Sequence, residues 1–203
     1  ISYVRGNIAA RKGHLKNALT HFNEALESDH LHVRARLNRC SLHMGLDNAQ
    51  AALDDANILL EIAPGLGLAK LRRAEANMMQ SQWTLARDDL EEIVATAPHH
   101  HHALTQLAAC YIAMERPEKA EAPLNEALRL EPNHTDAWHQ RGLLYLDWGR
   151  EDSALADFEA AVRCDGDHLD ARLHIAAIHH GGNRFDQALG AWRGVLSIDA
   201  DNA

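Results

Sequence analysis

Apolar and polar residues follow a helical rhythm along this chain, with apolar side chains three or four positions apart. Between residues 135 and 148 the apolar stripe runs through Trp138, Gly142 and Tyr145, and Gly149 then ends it. A second stripe begins directly afterwards. Its apolar members are Ala154, Leu155, Phe158, Ala161 and Val162. The pattern therefore predicts two helices joined by a short turn.

This helix pair recurs along the chain with a period of 34 residues. One column of the repeat is invariantly alanine: Ala18, Ala52, Ala86, Ala120, Ala154 and Ala188. A second column is small: Gly6, Cys40, Ala74, Ala108, Gly142 and Ala176. A third column closes each unit: Pro64, Pro98, Pro132, Gly166 and Ala200. Small residues let paired helices approach closely, and the proline or glycine column stops the second helix, so the period indicates a tandem helix–turn–helix unit.

The three columns resemble the tetratricopeptide repeat, in which the eighth position is small, the twentieth is alanine and the thirty-second is often proline. The resemblance covers essentially all 203 residues. It implies an all-α fold, a right-handed superhelical solenoid of antiparallel helix pairs. The six repeats are expected near residues 1–32, 33–66, 67–100, 101–134, 135–168 and 169–202.

From the second repeat onward, the first helices are predicted near 33–46, 67–80, 101–114, 135–148 and 169–181. Because repeats of this kind pack on their neighbours, we predict one array over 1–203 rather than two globular domains. The chain opens inside a helix with Ile1, and no polar capping helix follows the sixth repeat. These two features indicate a fragment of a longer protein.

The charge of the chain argues against a nucleic-acid partner. The formal net charge is −9, and residues 101–203 hold 9 basic against 17 acidic side chains. A phosphate backbone requires a basic face, which this composition does not predict. No apolar run reaches the length of a membrane span, so no membrane insertion is expected. The three cysteines fit neither a disulfide pattern nor a zinc motif, and favour a reducing compartment such as the cytoplasm.

Candidate catalytic groups are few. The acidic pairs Asp54–Asp55 and Asp88–Asp89 occupy the same place in consecutive repeats, which we interpret as a solvated outer face. With no catalytic motif in the chain, we predict that it is not an enzyme and needs no cofactor.

The tract His99–His102 could attract transition metals, but four imidazoles on a turn lack fixed geometry, so no physiological metal is expected. Pro123 is expected to kink the second helix of repeat four slightly.

The resemblance also implies a place for ligands, because this family usually binds partners along the inner face of the first helices. We therefore expect a protein or peptide partner in a concave groove. The groove residues implied by the resemblance are Asn7, Arg34, Asn38, Arg72, Gln106, Asp136, His139, Gln140, Asp170 and His174. The early part is rich in arginine and amides and the later part mixes acids with histidine, which predicts a bipolar partner segment.

Two alternatives stay open. Some family members clamp the terminal carboxylate of a heat-shock chaperone, and Asn7, Asn38 and Arg72 match that clamp, whereas Tyr3 and Leu68 stand where it has lysines. An anion-tolerant groove would survive this loss, because arginine can still pair with a carboxylate through two hydrogen bonds. The other alternative is the targeting region of a larger enzyme, such as a glycosyltransferase or a sulfotransferase.

Overall fold

The computed structural model describes the backbone of residues 1–201 and the side chains of residues 1–196. The side chain of Ala200, predicted to close the sixth repeat, and residues 202 and 203 lie outside the described part. Within residues 1–201 the structure contains twelve α-helices, one short 3-10 helix and no strand. The first helices of repeats two to six begin at the predicted residues and end within about one residue of prediction. The all-α class is therefore confirmed.

The chain divides into two compact units. The first unit, residues 1–98, contains α1 (Ser2–Arg11), α2 (Leu15–Ser28), α3 (Val33–Gly45), α4 (Ala49–Ile62), α5 (Gly67–Met79) and α6 (Trp83–Thr96). The second, from residue 99 onward, contains α7 (His101–Ala113), the 3-10 helix η1 (Pro117–Lys119), α8 (Glu121–Leu130), α9 (Thr135–Asp147), α10 (Glu151–Cys164), α11 (Leu169–Gly181) and α12 (Phe185–Asp201). In each unit, every helix packs on the helix that follows it. One array over the whole chain stays a prediction.

The alanine column forms the crossing point of each helix pair. All six alanines are buried, with at most 2% of their surface exposed. Each residue of the small column corresponds to a facing residue sixteen positions later in the chain. Where the small-column residue is glycine, the facing residue is the large phenylalanine. A Cβ placed on Gly6 would lie 2.6 Å from the Phe22 ring, and one on Gly142 would lie 2.7 Å from the Phe158 ring. Repeats two to four pair a larger residue of the small column with a smaller facing residue: Cys40 with Ala56, Ala74 with Leu90, and Ala108 with Leu124. The sixth repeat departs from this rule, because Ala176 corresponds to Trp192, which is 40% exposed.

Ion pairs join the two helices of three repeats, and they correct the interpretation of the acidic pairs as solvated. Asp89 accepts two hydrogen bonds from Arg73, at 2.7 and 2.6 Å, and Asp157 accepts two from Arg141, at 2.7 and 2.8 Å. Asp55 is held in the same way by Arg39. Each of these three carboxylates is at most 4% exposed, so only the first member of each predicted pair faces solvent.

The sequence shows the same network once its spacing is known. An asparagine, an arginine and an aspartate follow one another at intervals of sixteen residues: Asn23–Arg39–Asp55, Asn57–Arg73–Asp89 and Asn125–Arg141–Asp157. Two of these asparagines accept a hydrogen bond of 2.7 Å from the arginine. In repeats four and six all three residues change together, to Glu91–Leu107–Pro123 and Glu159–Ile175–Ala191. Joint replacement avoids leaving one buried charge without its partner.

The turn inside each helix pair contains one residue in the left-handed region. The six residues have φ between 57° and 73° and stand 34 positions apart: Gly13, Asp47, Ser81, Glu115, Gly149 and Asn183. The amide that follows each of them donates to the carbonyl five residues earlier, as in Asn48 N–H to His43 O at 2.8 Å. This hydrogen bond is typical of a Schellman helix end, so each first helix stops at a defined residue.

Glycine is expected to be a better residue than serine at position 81. Ser81 has φ of 58°, which brings a side-chain Cβ close to the backbone, whereas glycine adopts this region without that penalty. We expect Ser81→Gly to raise the free energy of unfolding by about 0.5–1 kcal/mol, measured by urea denaturation. Ser81→Ala is the control because it keeps the Cβ. Equal stability of the two variants would contradict the assigned conformation.

Pro123 acts differently from the predicted kink. The second helix of repeat four is divided into η1 and α8, and α8 begins at Glu121. Pro123 therefore lies in the first turn of an α-helix, where the backbone amide has no intrahelical acceptor in any case. The helix restarts two residues before the proline, and no kink within α8 is needed.

Candidate functional site

The first helices of the repeats carry every residue that the resemblance placed in the groove. In the first unit these helices are α1, α3 and α5, and in the second they are α7, α9 and α11. Arg34, Asp136 and Asp170 are exposed, and the other seven side chains are partly buried. Among the described residues, a pocket lies between first helices in each unit, and the two pockets differ in chemistry.

The pocket of the first unit combines polar and apolar side chains. It lies between α1 and α3, has a volume of about 480 Å³, and includes Asn7, Asn38, Arg11 and Ser41 in its lining. Asn38 Nδ2 donates to Asn7 Oδ1 at 2.7 Å, so the two predicted asparagines meet. Tyr3 also lines the pocket. Arg11 adds the cationic group that would make this pocket suitable for an anion.

Arg72, the third residue of the suggested clamp, is not among the residues that line this pocket. Its Nη1 atom donates to Glu75 Oε2 at 2.6 Å, one turn further along α5. The guanidinium is therefore engaged by a carboxylate of its own helix. Tyr3, which replaces a clamp lysine, has its ring centroid 4.9 Å from that of His32. The structure thus brings together Asn7 and Asn38 but does not add Arg72 to them.

The pocket of the second unit is mainly apolar. It has a volume of about 670 Å³ and lies between α7 and α9, where Ile112, Leu143 and Leu144 line it together with Gln140. Asp147 lines the same pocket. Ile112 and Leu143 are 36% and 37% exposed, which leaves two large aliphatic side chains accessible. Of the predicted groove residues only Gln140 lies here.

A cluster of three histidines joins α9 to α11. The ring centroid of His139 lies 4.7 Å from that of His168 and 5.6 Å from that of His174. His174 in turn stacks on Phe158, with 4.8 Å between centroids. His168 precedes α11, and its Nδ1 accepts a hydrogen bond from the Ala171 amide at 3.3 Å. The Nδ1 lone pair accepts that bond, so the His168 side chain caps the helix.

The hydrophobic pattern does not predict the imidazole cap, although histidine recurs at this position of the repeat. His32 and His100 occupy the same repeat position as His168 and cap α3 and α7 in the same way, with 3.2 Å between the backbone nitrogen and Nδ1. The tract His99–His102 is therefore partly structural. His101 contacts His134, with ring centroids 5.2 Å apart. In the part of the chain that the structure describes, no three His, Cys, Asp or Glu side chains are arranged to hold a metal ion.

Burial lowers the pKa of His139 below its ordinary value, and the neighbouring His168 and His174 lower it further. Asp170 and Asp136 raise it, but by less than burial lowers it. The pKa of His174 is also lowered, chiefly by burial, against an opposing effect of Asp170. Both imidazoles are thus held neutral in the folded chain near neutral pH.

The second unit is therefore expected to lose stability as the pH falls below about 6.5, the ordinary histidine value. The folded-state pKa values of His139 and His174 lie below the unfolded ones, so the unfolded chain takes up protons first and is favoured. Melting temperatures of the parent and of a His139→Gln, His174→Gln variant would be compared between pH 7.5 and 5.5. The parent should show the steeper decline, and parallel curves would contradict the assignment.

Comparisons with known proteins agree with this architecture. Residues 3–66 and 71–135 match one family model described as tetratricopeptide repeat, and residues 107–180 match another of the same description. The chain belongs to the tetratricopeptide repeat family. Proteins of this family are protein-interaction scaffolds.

Solved structures resemble the chain in fold. One such structure is MamA from Desulfovibrio magneticus RS-1, solved from residue 41 to the end. It superposes on this chain with a TM-score of 0.72 and 20% sequence identity, and the match covers 80% of this chain and 92% of MamA. A thermophilic repeat protein of Thermus thermophilus has a TM-score of 0.71 and 23% identity, covering 87% and 96%. YrrB, described as having an unusual peptide-binding site, has a TM-score of 0.64 and 22% identity, covering 89% and 93%.

Among curated proteins, the human peptidyl-prolyl cis-trans isomerase FKBP4 is 27% identical over 127 residues. The match covers 55% of this chain and 28% of the human protein. FKBP4 of Rattus norvegicus is 27% identical over 121 residues, covering 52% of the chain and 26% of the relative. The chain thus spans about a quarter of the length of these relatives.

Proposed function

We propose that the chain is a non-catalytic scaffold that binds a segment of a partner protein on the first-helix face of its repeats. The observation that carries this proposal is that each unit has a pocket lined by first helices of successive repeats, α1 with α3 and α7 with α9. Such a pocket offers side chains from two elements to one ligand. YrrB, a repeat protein of the same fold that has a peptide-binding site, supports this use of the fold. This function requires binding of the partner and no chemical reaction on it.

The test is a map of protection by amide hydrogen exchange in the intact chain. A partner would first be captured on the immobilised protein and identified by mass spectrometry. Its complex should slow exchange on α1, α3 and α5, or on α7, α9 and α11. Protection confined to the second helices, or capture of no partner, would refute the proposal.

The carboxylate-clamp function is a second candidate, supported by the contact between Asn7 and Asn38 and by Arg11 beside them. Against it stand Tyr3 and Leu68 at the lysine positions and the ion pair of Arg72 with Glu75. We expect a free-acid peptide with the chaperone tail to bind negligibly in a calorimetric titration. Low-micromolar binding that disappears on amidation of the terminus would instead establish the clamp.

The third candidate is a repeat region within a larger enzyme. It is supported by the curated relatives, which bear the name of an isomerase and extend well beyond the matched part. This favours an attached isomerase over a glycosyltransferase or a sulfotransferase. The sequence of the full transcript would decide: a catalytic domain on either side of the repeats supports the candidate, and its absence removes it.

A further inference from the structure

We propose that the apolar pocket between α7 and α9 binds a large apolar side chain of a partner segment that carries lysine or arginine beside it. This inference rests on the proposed scaffold function and deepens it, because it names the chemistry of the partner. The pocket is lined by Ala109, Ile112, Ala113, Glu115, Pro117, Gln140, Leu143, Leu144 and Asp147. We call these nine residues the α7–α9 pocket.

The floor of the α7–α9 pocket selects an apolar group. Ile112 and Leu143 are each more than a third exposed, and both contribute to the pocket with Leu144, which is 2% exposed. Its volume of about 670 Å³ is within the range of roughly 300–1,000 Å³ that ligand pockets usually have. Burying two aliphatic side chains against an apolar group of the partner removes this surface from water, which favours association.

The rim of the α7–α9 pocket selects a cation. Glu115 and Asp147 both line it, and in the described part of the chain neither forms a salt bridge. A lysine or arginine beside the apolar anchor would give these carboxylates a partner, whereas an acidic neighbour would be repelled.

The Gln140 side chain supplies the third requirement. Its Oε1 atom is buried and accepts no hydrogen bond in the part of the chain that the structure describes, while the residue lines the α7–α9 pocket. A buried acceptor without a donor costs free energy until a donor reaches it. A backbone amide of the partner segment, or the cationic side chain itself, would satisfy it. The α7–α9 pocket therefore lacks an apolar group on its floor and N–H donors for its oxygen atoms. A peptide with a large apolar residue next to lysine or arginine provides both.

The experiment uses a library of random 12-residue peptides displayed on phage, selected on the intact chain. A synthetic peptide from the selected sequences is then measured by fluorescence anisotropy with two variants. Ala113→Trp fills the pocket from an exposed position and should weaken binding by at least about tenfold. Glu115→Gln with Asp147→Asn keeps the shape and should weaken binding by about threefold to tenfold, and less at high salt.

Matched controls separate these effects from changes in stability or net charge. Ala156→Trp introduces the same bulk at an exposed position of α10, and Glu159→Gln with Asp167→Asn changes net charge equally at exposed sites. Both should bind the peptide as the parent does. Circular dichroism would confirm that all variants keep their helices.

The outcomes distinguish this inference from the proposed function. Selected peptides that combine lysine or arginine with a large apolar residue and lose affinity for Ala113→Trp would support it. Selected peptides that lack this pattern, or that bind Ala113→Trp as tightly as the parent, would overturn the inference and leave the scaffold function standing. If no peptide is enriched on the intact chain, both proposals fail.

Discussion

Replacing Asp55 by alanine is expected to lower the free energy of unfolding by about 3–5 kcal/mol. Asp55 is 2% exposed and accepts hydrogen bonds from Arg36 Nη1 at 3.1 Å and from Arg39 Nη2 and Nε at 2.6 and 2.9 Å. Arg36 is itself only 6% exposed. Removing the carboxylate would leave one buried and one half-buried guanidinium without an anion, which is far more costly than losing a surface ion pair.

The adjacent Asp54 provides the control, because it has the same side chain in the same helix but faces solvent. It accepts only an exposed hydrogen bond from Gln50, at 2.9 Å, among the contacts described. Asp54→Ala should therefore change stability by less than about 0.5 kcal/mol. Urea unfolding, monitored by circular dichroism, measures the free energy of unfolding of both variants. If the two variants lost equal stability, the Asp55 network would contribute nothing beyond a surface charge.

Replacing Gly142 by alanine is expected to cost about 1–3 kcal/mol, although alanine is the better helix former by about 1 kcal/mol. The added Cβ would lie 2.7, 2.9 and 3.0 Å from three atoms of the Phe158 ring. That ring is fully buried and stacked on His174, so it cannot move aside without disturbing the contact between α10 and α11. Steric overlap therefore outweighs helix propensity.

A double variant tests whether steric overlap with Phe158 causes the loss of stability in Gly142→Ala. Repeats three and four contain alanine opposite leucine, Ala74 with Leu90 and Ala108 with Leu124. The double variant Gly142→Ala, Phe158→Leu copies that combination and should be more stable than the sum of the single changes predicts, by about 1–3 kcal/mol. Gly166→Ala is the control, because a Cβ there has no neighbour within 4 Å. Additive losses in the double variant would rule out the proposed overlap.

The helices and the core columns could be predicted from the sequence because both depend on local periodicity. A period of 34 residues locates each helix, and the alanine column is buried at each crossing, as at Ala120. The burial of Asp89 could not be predicted from the aspartate alone, because the hydrophobic pattern of a helix does not show whether a polar side chain has a partner on the neighbouring helix. The arginine sixteen residues earlier carries that information.

The candidate sites were less accessible to prediction for a similar reason. The contact of Asn7 with Asn38 depends on the distance between two helices, which spacing along one helix does not give. The ion pair of Arg72 with Glu75 lies within one helix turn and could have been foreseen from the spacing of three residues. The capping role of His168 depends on a ring nitrogen turned toward the backbone, which residue type alone leaves open.

The matched volumes of the small column and its facing residue have a consequence for how such a chain can be lengthened or recombined. Gly142 fits Phe158, and Cys40 fits Ala56, but an exchange of single helices between these repeats would join Cys40 to Phe158 and Gly142 to Ala56. The first hybrid overfills its crossing and the second leaves a void. Crossovers between whole pairs preserve every match, so gene duplication or protein engineering should exchange complete helix pairs, with junctions between repeats.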